Sequence, residues 1–218
     1  MTVDRRTDTR DMLVVHAAFR REFRQALELV RGVSPGHHPR MRQVADHVTL
    51  LLQFLHVHHA GEDRLLWPKL LDRLPADVTP TVKLVEQQHQ TIHTLIDETT
   101  TTARRWRSSA DGTDRDRLAE SLDRLMIELV EHLGAEEKRV LPLASRCLTQ
   151  AEWDQLGEEG LGTLPKSQLP LAFGMIMKDA DPEVIRGILA NVPLIPRVVL
   201  PRIGPRVYAR YTRRLHAA

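Results

Sequence analysis

Apolar residues recur at helical spacing through the first two thirds of the chain. Met12, Val15, Phe19, Phe23, Ala26 and Val30 form one stripe, with His16 beside it, and predict a first helix over residues 8–31. Gly32-Val33-Ser34-Pro35-Gly36 ends it, because glycine stops a helix and proline cannot continue one. His37 and His38 fall in this loop and read as solvent-exposed. A second helix is predicted from near Pro39 to about Trp67, where Pro68 kinks or ends it. Thr79 and Pro80 read as N-cap and first helical residue of a third helix running to about Arg107. After the loop Ser108–Gly112, a fourth spans about Asp114 to Arg146. Four long helices on short loops predict an all-α fold, an antiparallel up-down-up-down four-helix bundle over residues 8–148.

The pattern changes after Leu148. Thr149-Gln150-Ala151-Glu152 is a capping box that opens a short helix to about Glu159. Apolar pieces follow at 165–177, 181–191 and 193–214, broken by Pro170, Pro182, Pro193, Pro196, Pro201 and Pro205. Residues 149–218 therefore read as a helical, Pro- and Arg-rich C-terminal extension of short helices. Its apolar pieces read as cover for the bundle, with a homodimer interface as the alternative.

Composition supports this division. Hydrophobic residues make up 42% of the 218 and aromatics only 4%, so the core is aliphatic, which suits packed helices. The formal charge of +2 conceals an asymmetry: the seven arginines after Glu183 meet no acid, leaving −5 on residues 1–183. Such a tail could contact a membrane surface or nucleic acid. Its prolines disfavour one amphipathic helix, and no helix-turn-helix or aromatic stacking set accompanies it. The single cysteine, Cys147, excludes an intrachain disulfide, and Met1–Arg6 leads into no apolar leader core. No apolar run reaches the roughly 20 residues that span a bilayer. These features predict a soluble, cytoplasmic protein that does not bind nucleic acid.

The candidate chemistry lies in a repeat. His58-His59-Ala60-Gly61-Glu62-Asp63-Arg64-Leu65-Leu66-Trp67-Pro68 returns as His132-Leu133-Gly134-Ala135-Glu136-Glu137-Lys138-Arg139-Val140-Leu141-Pro142. Both copies read His, three residues, Glu, a second acid, a base, three residues, Pro. His16 precedes His58 by 42 residues and His89 precedes His132 by 43, as in two helical hairpins of equal length. Residues four apart share a helix face, so His58 with Glu62, His132 with Glu136, and His89 with His93 can each grip one centre. Imidazole and carboxylate without thiolate suit iron, manganese or zinc. The predicted metal ligands are His16, His58, Glu62, His89, His93, His132 and Glu136, enough for two ions. Alignment on the two prolines sets His58 opposite His132, which leaves His59 at the surface or behind the ligands. Glu86, one turn before His89, is a candidate outer partner for that histidine. His47 and His56 read as structural, the first lying three turns from His58 and the second projecting away from it.

This motif set resembles the hemerythrin-like (HHE cation-binding) family: a histidine on the first helix, His58-His59-x-x-Glu62-Asp63 on the second, His89-x-x-x-His93 on the third and His132-x-x-x-Glu136 on the fourth. The last spacing is the form common in bacterial hemerythrin-like domains, and the extension resembles those of actinobacterial members. The resemblance implies two iron ions in an Fe–O–Fe type centre, with zinc or manganese as substitutes, binding dioxygen or a related small oxidant for carriage, storage or sensing. The alternative is a di-iron enzyme of catalase- or peroxidase-like activity that removes hydrogen peroxide or nitric oxide. A lesser alternative is a metal-dependent sensor whose basic tail is the output. The sequence assigns no separate catalytic residue.

Overall fold

The computed structural model describes residues 6–217; residues 1–5, most of the segment read as carrying no leader core, lie outside it. All regular elements among the described residues are helical. The bundle is built from α1 (Arg10–Gly32), α2 (His38–Leu65), α4 (Thr79–Ser109) and α5 (Gly112–Ala135), with the short α3 (Trp67–Arg73) between α2 and α4. Each long helix packs on two others, α1 on α2 and α5, and α4 on α2 and α5, so the four close a ring around one core. That core is Phe23, Val30, Val44, Leu51, Leu55, Ile92, Trp106, Leu122 and Leu129, the stripe positions of the four helices.

The helix ends follow local chemistry. Asp111 accepts the amide hydrogens of Thr113 and Asp114 and caps α5. His37, expected in a plain loop, is exposed but accepts from the Arg40 amide through Nδ1 and so caps α2. Thr79, expected as an N-cap, instead donates its hydroxyl to the Pro75 carbonyl, and α4 begins without a side-chain cap.

The two repeated prolines act differently from a simple stop. Pro68 lies in the first turn of α3, just past a one-residue break at Leu66, where its missing N–H costs no helical hydrogen bond. Pro142 likewise opens α6 (Leu141–Cys147), and the turn before it, Glu136–Val140, is a π turn. There the Leu141 amide reaches back five residues to the Glu136 carbonyl. The predicted unbroken fourth helix is therefore α5, a π turn and α6. Widened turns of this kind recur at functional sites.

Residues 149–217 lie against the bundle as α7 (Gln150–Thr163), α8 (Leu169–Met177), α9 (Pro182–Ala190) and α10 (Leu194–His216). The Thr149–Glu152 capping box is formed in both directions. The prolines were expected to break the last piece, but α10 runs unbroken through Pro201 and Pro205. Packing overrides the local cost, since α10 lies along α8 over much of its length. The guanidiniums of Arg202 and Arg206 also donate to the Val198 and Arg202 carbonyls of the same helix. Leu171, Ala172 and Met175 of α8 and Tyr208 and Leu215 of α10 join the bundle core. Tyr208 donates to the buried Glu22 at 2.6 Å, and Gln43 donates to the Arg214 carbonyl. No helix among the described residues is long and apolar enough to cross a membrane.

Two contacts made by the extension have measurable consequences. Helices α8 and α10 cross at Gly174 and Gly204; a Cβ on Gly174 would strike the Gly204 carbonyl oxygen and lie 2.6 Å from Tyr208 Cβ. Gly174→Ala is expected to push the helices apart and destabilise by about 1–3 kcal/mol, read as a lower urea midpoint.

His47 of α2, buried against α10 with Nδ1 2.9 Å from the Tyr211 hydroxyl, is the second. Burial, and then His216, push its imidazole down to about 4. The unfolded chain protonates it near 6.5, so between those values the unfolded state holds more protons and stability rises with pH. The contribution is fully present above about 6.5 and is lost as pH falls toward 4, amounting to about 3 kcal/mol. His47→Gln is expected to flatten the loss of stability between pH 7 and 4.5 in urea titrations.

Candidate metal centre

The repeat places four histidines and two glutamates in the middle of the bundle. His16, His132 and Glu136 are fully buried, and His89 and Glu62 nearly so. Glu62 of α2 sits between histidines of two hairpins, with Oε1 3.3 Å from His58 Nε2 and Oε2 3.4 Å from His89 Nε2. Glu136, at the head of the π turn, does the same from the other side. Its Oε2 is 3.4 Å from His16 Nε2 and 3.7 Å from His132 Nε2. Each repeated acid thus links its own helix to a histidine of the opposite hairpin.

The second acid of each copy works behind this layer. Asp63 Oδ1 is 2.6 Å from His89 Nδ1, and Glu137 Oε1 is 3.0 Å from His16 Nδ1. Arg20 holds Glu137 at 2.6 Å. Against the cost of its partial burial, Glu137 is kept ionised, down to about 2, by hydrogen bonds from His16 and Arg20. Burial opposes ionisation of Asp63 too, but the His89 hydrogen bond keeps it low. An ionised acid at Nδ1 fixes the proton there and turns the Nε2 lone pair inward. Gln88 Oε1 takes the same position behind His132 Nδ1, at 3.3 Å. Glu86, expected behind His89, is half-buried and makes no hydrogen bond to it; Asp63 occupies that nitrogen.

His59 and His93 stand differently from the sequence expectation. His59 is wholly buried rather than at the surface, its ring stacked on His89 at 4.3 Å and edge-on to His132 at 5.1 Å. His93 keeps a third of its side chain exposed; its Nε2 lies 3.8 Å from Asp63 Oδ2, and its ring is 6.1 Å from those of His59 and His89. Its Nε2 is buried without a hydrogen-bond partner, but stands outside the close-set ligand atoms of His59, Glu62, His89 and His132. Helix geometry explains the exchange. α2 packs on α1 along one side and α4 along another, and successive residues differ by about 100° around a helix. His58 therefore meets α1, with His16 at 5.3 Å and Phe19 at 5.2 Å, while His59 meets α4 and fills the space beside His89. The doubled histidine was the available signal, but Leu133 stands opposite His59 in the repeat and conceals it.

The donor set fits metal ions. Two groups have ligand atoms mutually within 4.8 Å: His59, Glu62, His89 and His132, and His16, His58 and Glu62. The Nε2 atoms of His16, His58 and His59 and both oxygens of Glu62 and Glu136 are buried with no hydrogen-bond partner. His89 and His132 turn their Nε2 atoms toward each other at 3.1 Å. Burial, followed by neighbouring histidines, lowers His58, His59 and His132, the last to about 2, so these rings are neutral donors. Burial, followed by Glu136, raises Glu62 well above the usual carboxylate range, and burial raises Glu136 also. Buried acids and inward lone pairs without protons are what divalent cations satisfy.

From His58 and Glu62 an apolar cavity of about 180 Å³ extends between α1 and α2 toward α7 and α8. The helices and this donor set define a four-helix bundle with an internal histidine–carboxylate metal site. The family model described as the hemerythrin HHE cation binding domain matches residues 7–144, and the chain belongs to that family. No curated protein and no solved structure gives a significant match.

Proposed function

We propose that the chain holds two iron ions in this cluster and binds dioxygen or a related small oxidant there. The observation that carries the reading is the pair of acids, Glu62 and Glu136, each placed between histidines of both hairpins among buried atoms that have no other partner. His16 and His58 are proposed to hold one ion and His59, His89 and His132 the other, with the two acids shared. When bound, an iron pair supplies exchangeable electrons and an open position for a small molecule. The chain supplies the rest: Asp63, Glu137 and Gln88 orient the imidazoles, and burial keeps those of His58, His59 and His132 neutral. The apolar wall against His58, with Phe19, Phe54 and Leu51, keeps water and protons away from that side.

The test is stopped-flow mixing of the anaerobic, ferrous-loaded full chain with dioxygen. A visible charge-transfer band that persists, and that is lost when oxygen is removed, supports reversible binding. Transient absorption with sustained peroxide consumption supports turnover. No spectral change in a chain that carries iron excludes both.

A further inference from the structure

The cavity that ends at His58 and Glu62 exists because the extension closes over the bundle. Phe19 and Phe54 form its bundle side, and Leu156, Leu161, Phe173 and Ile176 of α7 and α8 form the other. Its size and its walls do not follow from a need to admit a diatomic gas. About 180 Å³ is several times the roughly 30 Å³ that one water molecule occupies in the liquid. An apolar cavity of about 150 Å³ takes up benzene.

Glycines keep this space open. Gly61 of α2, buried, lines the cavity, with Gly160 of α7 half-buried and Gly157 of α7 exposed at its rim, and a Cβ built on any of them meets nothing within 4 Å. None of the three is required by close helix packing or by a positive φ. Glycine is the poorest helix former after proline, so Gly61 inside α2 and Gly157 inside α7 need another reason. Leaving room for a ligand is that reason.

The polar groups on the wall narrow the class of occupant. They are the carboxyls of Asp11, Glu22 and Glu62, the His58 imidazole and the Trp153 indole, and no Lys or Arg is among them. Trp153 Nε1 is already given to Asp11 at 2.9 Å, and Glu22 is held by Arg21 and Tyr208. An anion would find no Lys or Arg in the wall to pair with, and a charged group of either sign would be desolvated against aromatic and aliphatic walls. We propose that this cavity binds a neutral, mostly apolar organic molecule the size of one substituted aromatic ring, seated with one end against His58 and Glu62. Its binding is independent of the metal; only its contact with a reactive centre rests on the di-iron reading.

Isothermal titration of the full chain with p-cresol, in metal-free and iron-loaded form, tests this, with benzoate as the anionic control. The expected result is one saturable site for p-cresol in both forms, with benzoate bound at least tenfold more weakly by the metal-free form. Gly160→Leu and Gly157→Leu, which add a good helix former to α7, are expected to keep helix content and iron content and to weaken p-cresol at least tenfold. Both variants are made so that one remains informative if the other fails to fold. Absence of saturable p-cresol binding, equal binding of benzoate by the metal-free chain, undiminished binding by the folded glycine variants, or binding confined to the iron-loaded form each overturns the proposal. Plugged variants that only slow oxidation of the iron by dioxygen, in a chain that takes up no p-cresol, identify a gas path instead. Failure to load iron with p-cresol binding intact defeats the metal reading and leaves this one standing.

Discussion

Glu62→Ala is expected to abolish tight metal binding while leaving the metal-free protein as stable as the parent, or more so. Glu62 and Glu136 are both buried, and burial followed by Glu136 already pushes Glu62 far up its titration range. Without a cation, such a pair is a burden on the fold, and removing one member relieves it. With cations the sign reverses, because Glu62 faces His58 and His89 from a single side chain and is the one residue common to both donor groups. A site filled at about a thousandfold over its dissociation constant adds about 4 kcal/mol to the folded state. Urea denaturation with and without ferrous iron should therefore separate parent and variant by several kcal/mol in the loaded state only. A variant equally destabilised in both states would mark Glu62 as a structural residue and not a ligand.

His59→Ala is expected to cost far more metal than His93→Ala, the reverse of what the four-residue spacing of His89 and His93 and the proline-aligned repeat predict together. His59 lies wholly buried against His89 and His132, whereas His93 is partly exposed and outside the group. Residues that merely orient ligands change affinity by about 10–100-fold when removed. A direct ligand should cost at least the upper end of that range, so His59→Ala should fall to about one ion per chain in competition with a chelator. His93→Ala should stay within a few-fold of the parent. Equal losses, or a larger loss for His93, would return His93 to the ligand set and remove His59 from it.

How much of this was legible follows from the range over which each feature is decided. The four helices were, because each writes its own apolar stripe, and the repeated His-x-x-x-Glu carried Glu62 and Glu136 to one depth. The second acid of each copy was visible in the repeat, yet its partner was not. Asp63 meets His89, 26 residues away, and Glu137 meets His16, 121 away, and no local spacing encodes such pairs. His59 was obscured because the repeat compares α2 with α5 and finds leucine there, while its placement depends on α2 facing α4. The π turn and the unbroken α10 are tertiary outcomes as well. The first is a widened turn ahead of Pro142, closed by the Leu141 amide on the Glu136 carbonyl. The second depends on packing against α8 at Gly174 and Gly204 that outweighs two prolines. The cavity could not be read at all, since its two walls lie about a hundred residues apart in the chain.

The metal-to-protein ratio of the full chain decides whether the buried histidines and glutamates hold a pair of ions. The protein is loaded anaerobically with ferrous iron, desalted and measured beside Glu62→Ala. Close to two irons per parent chain, and almost none in the variant, are expected. A parent chain without metal, or a ratio that Glu62→Ala leaves unchanged, would contradict this.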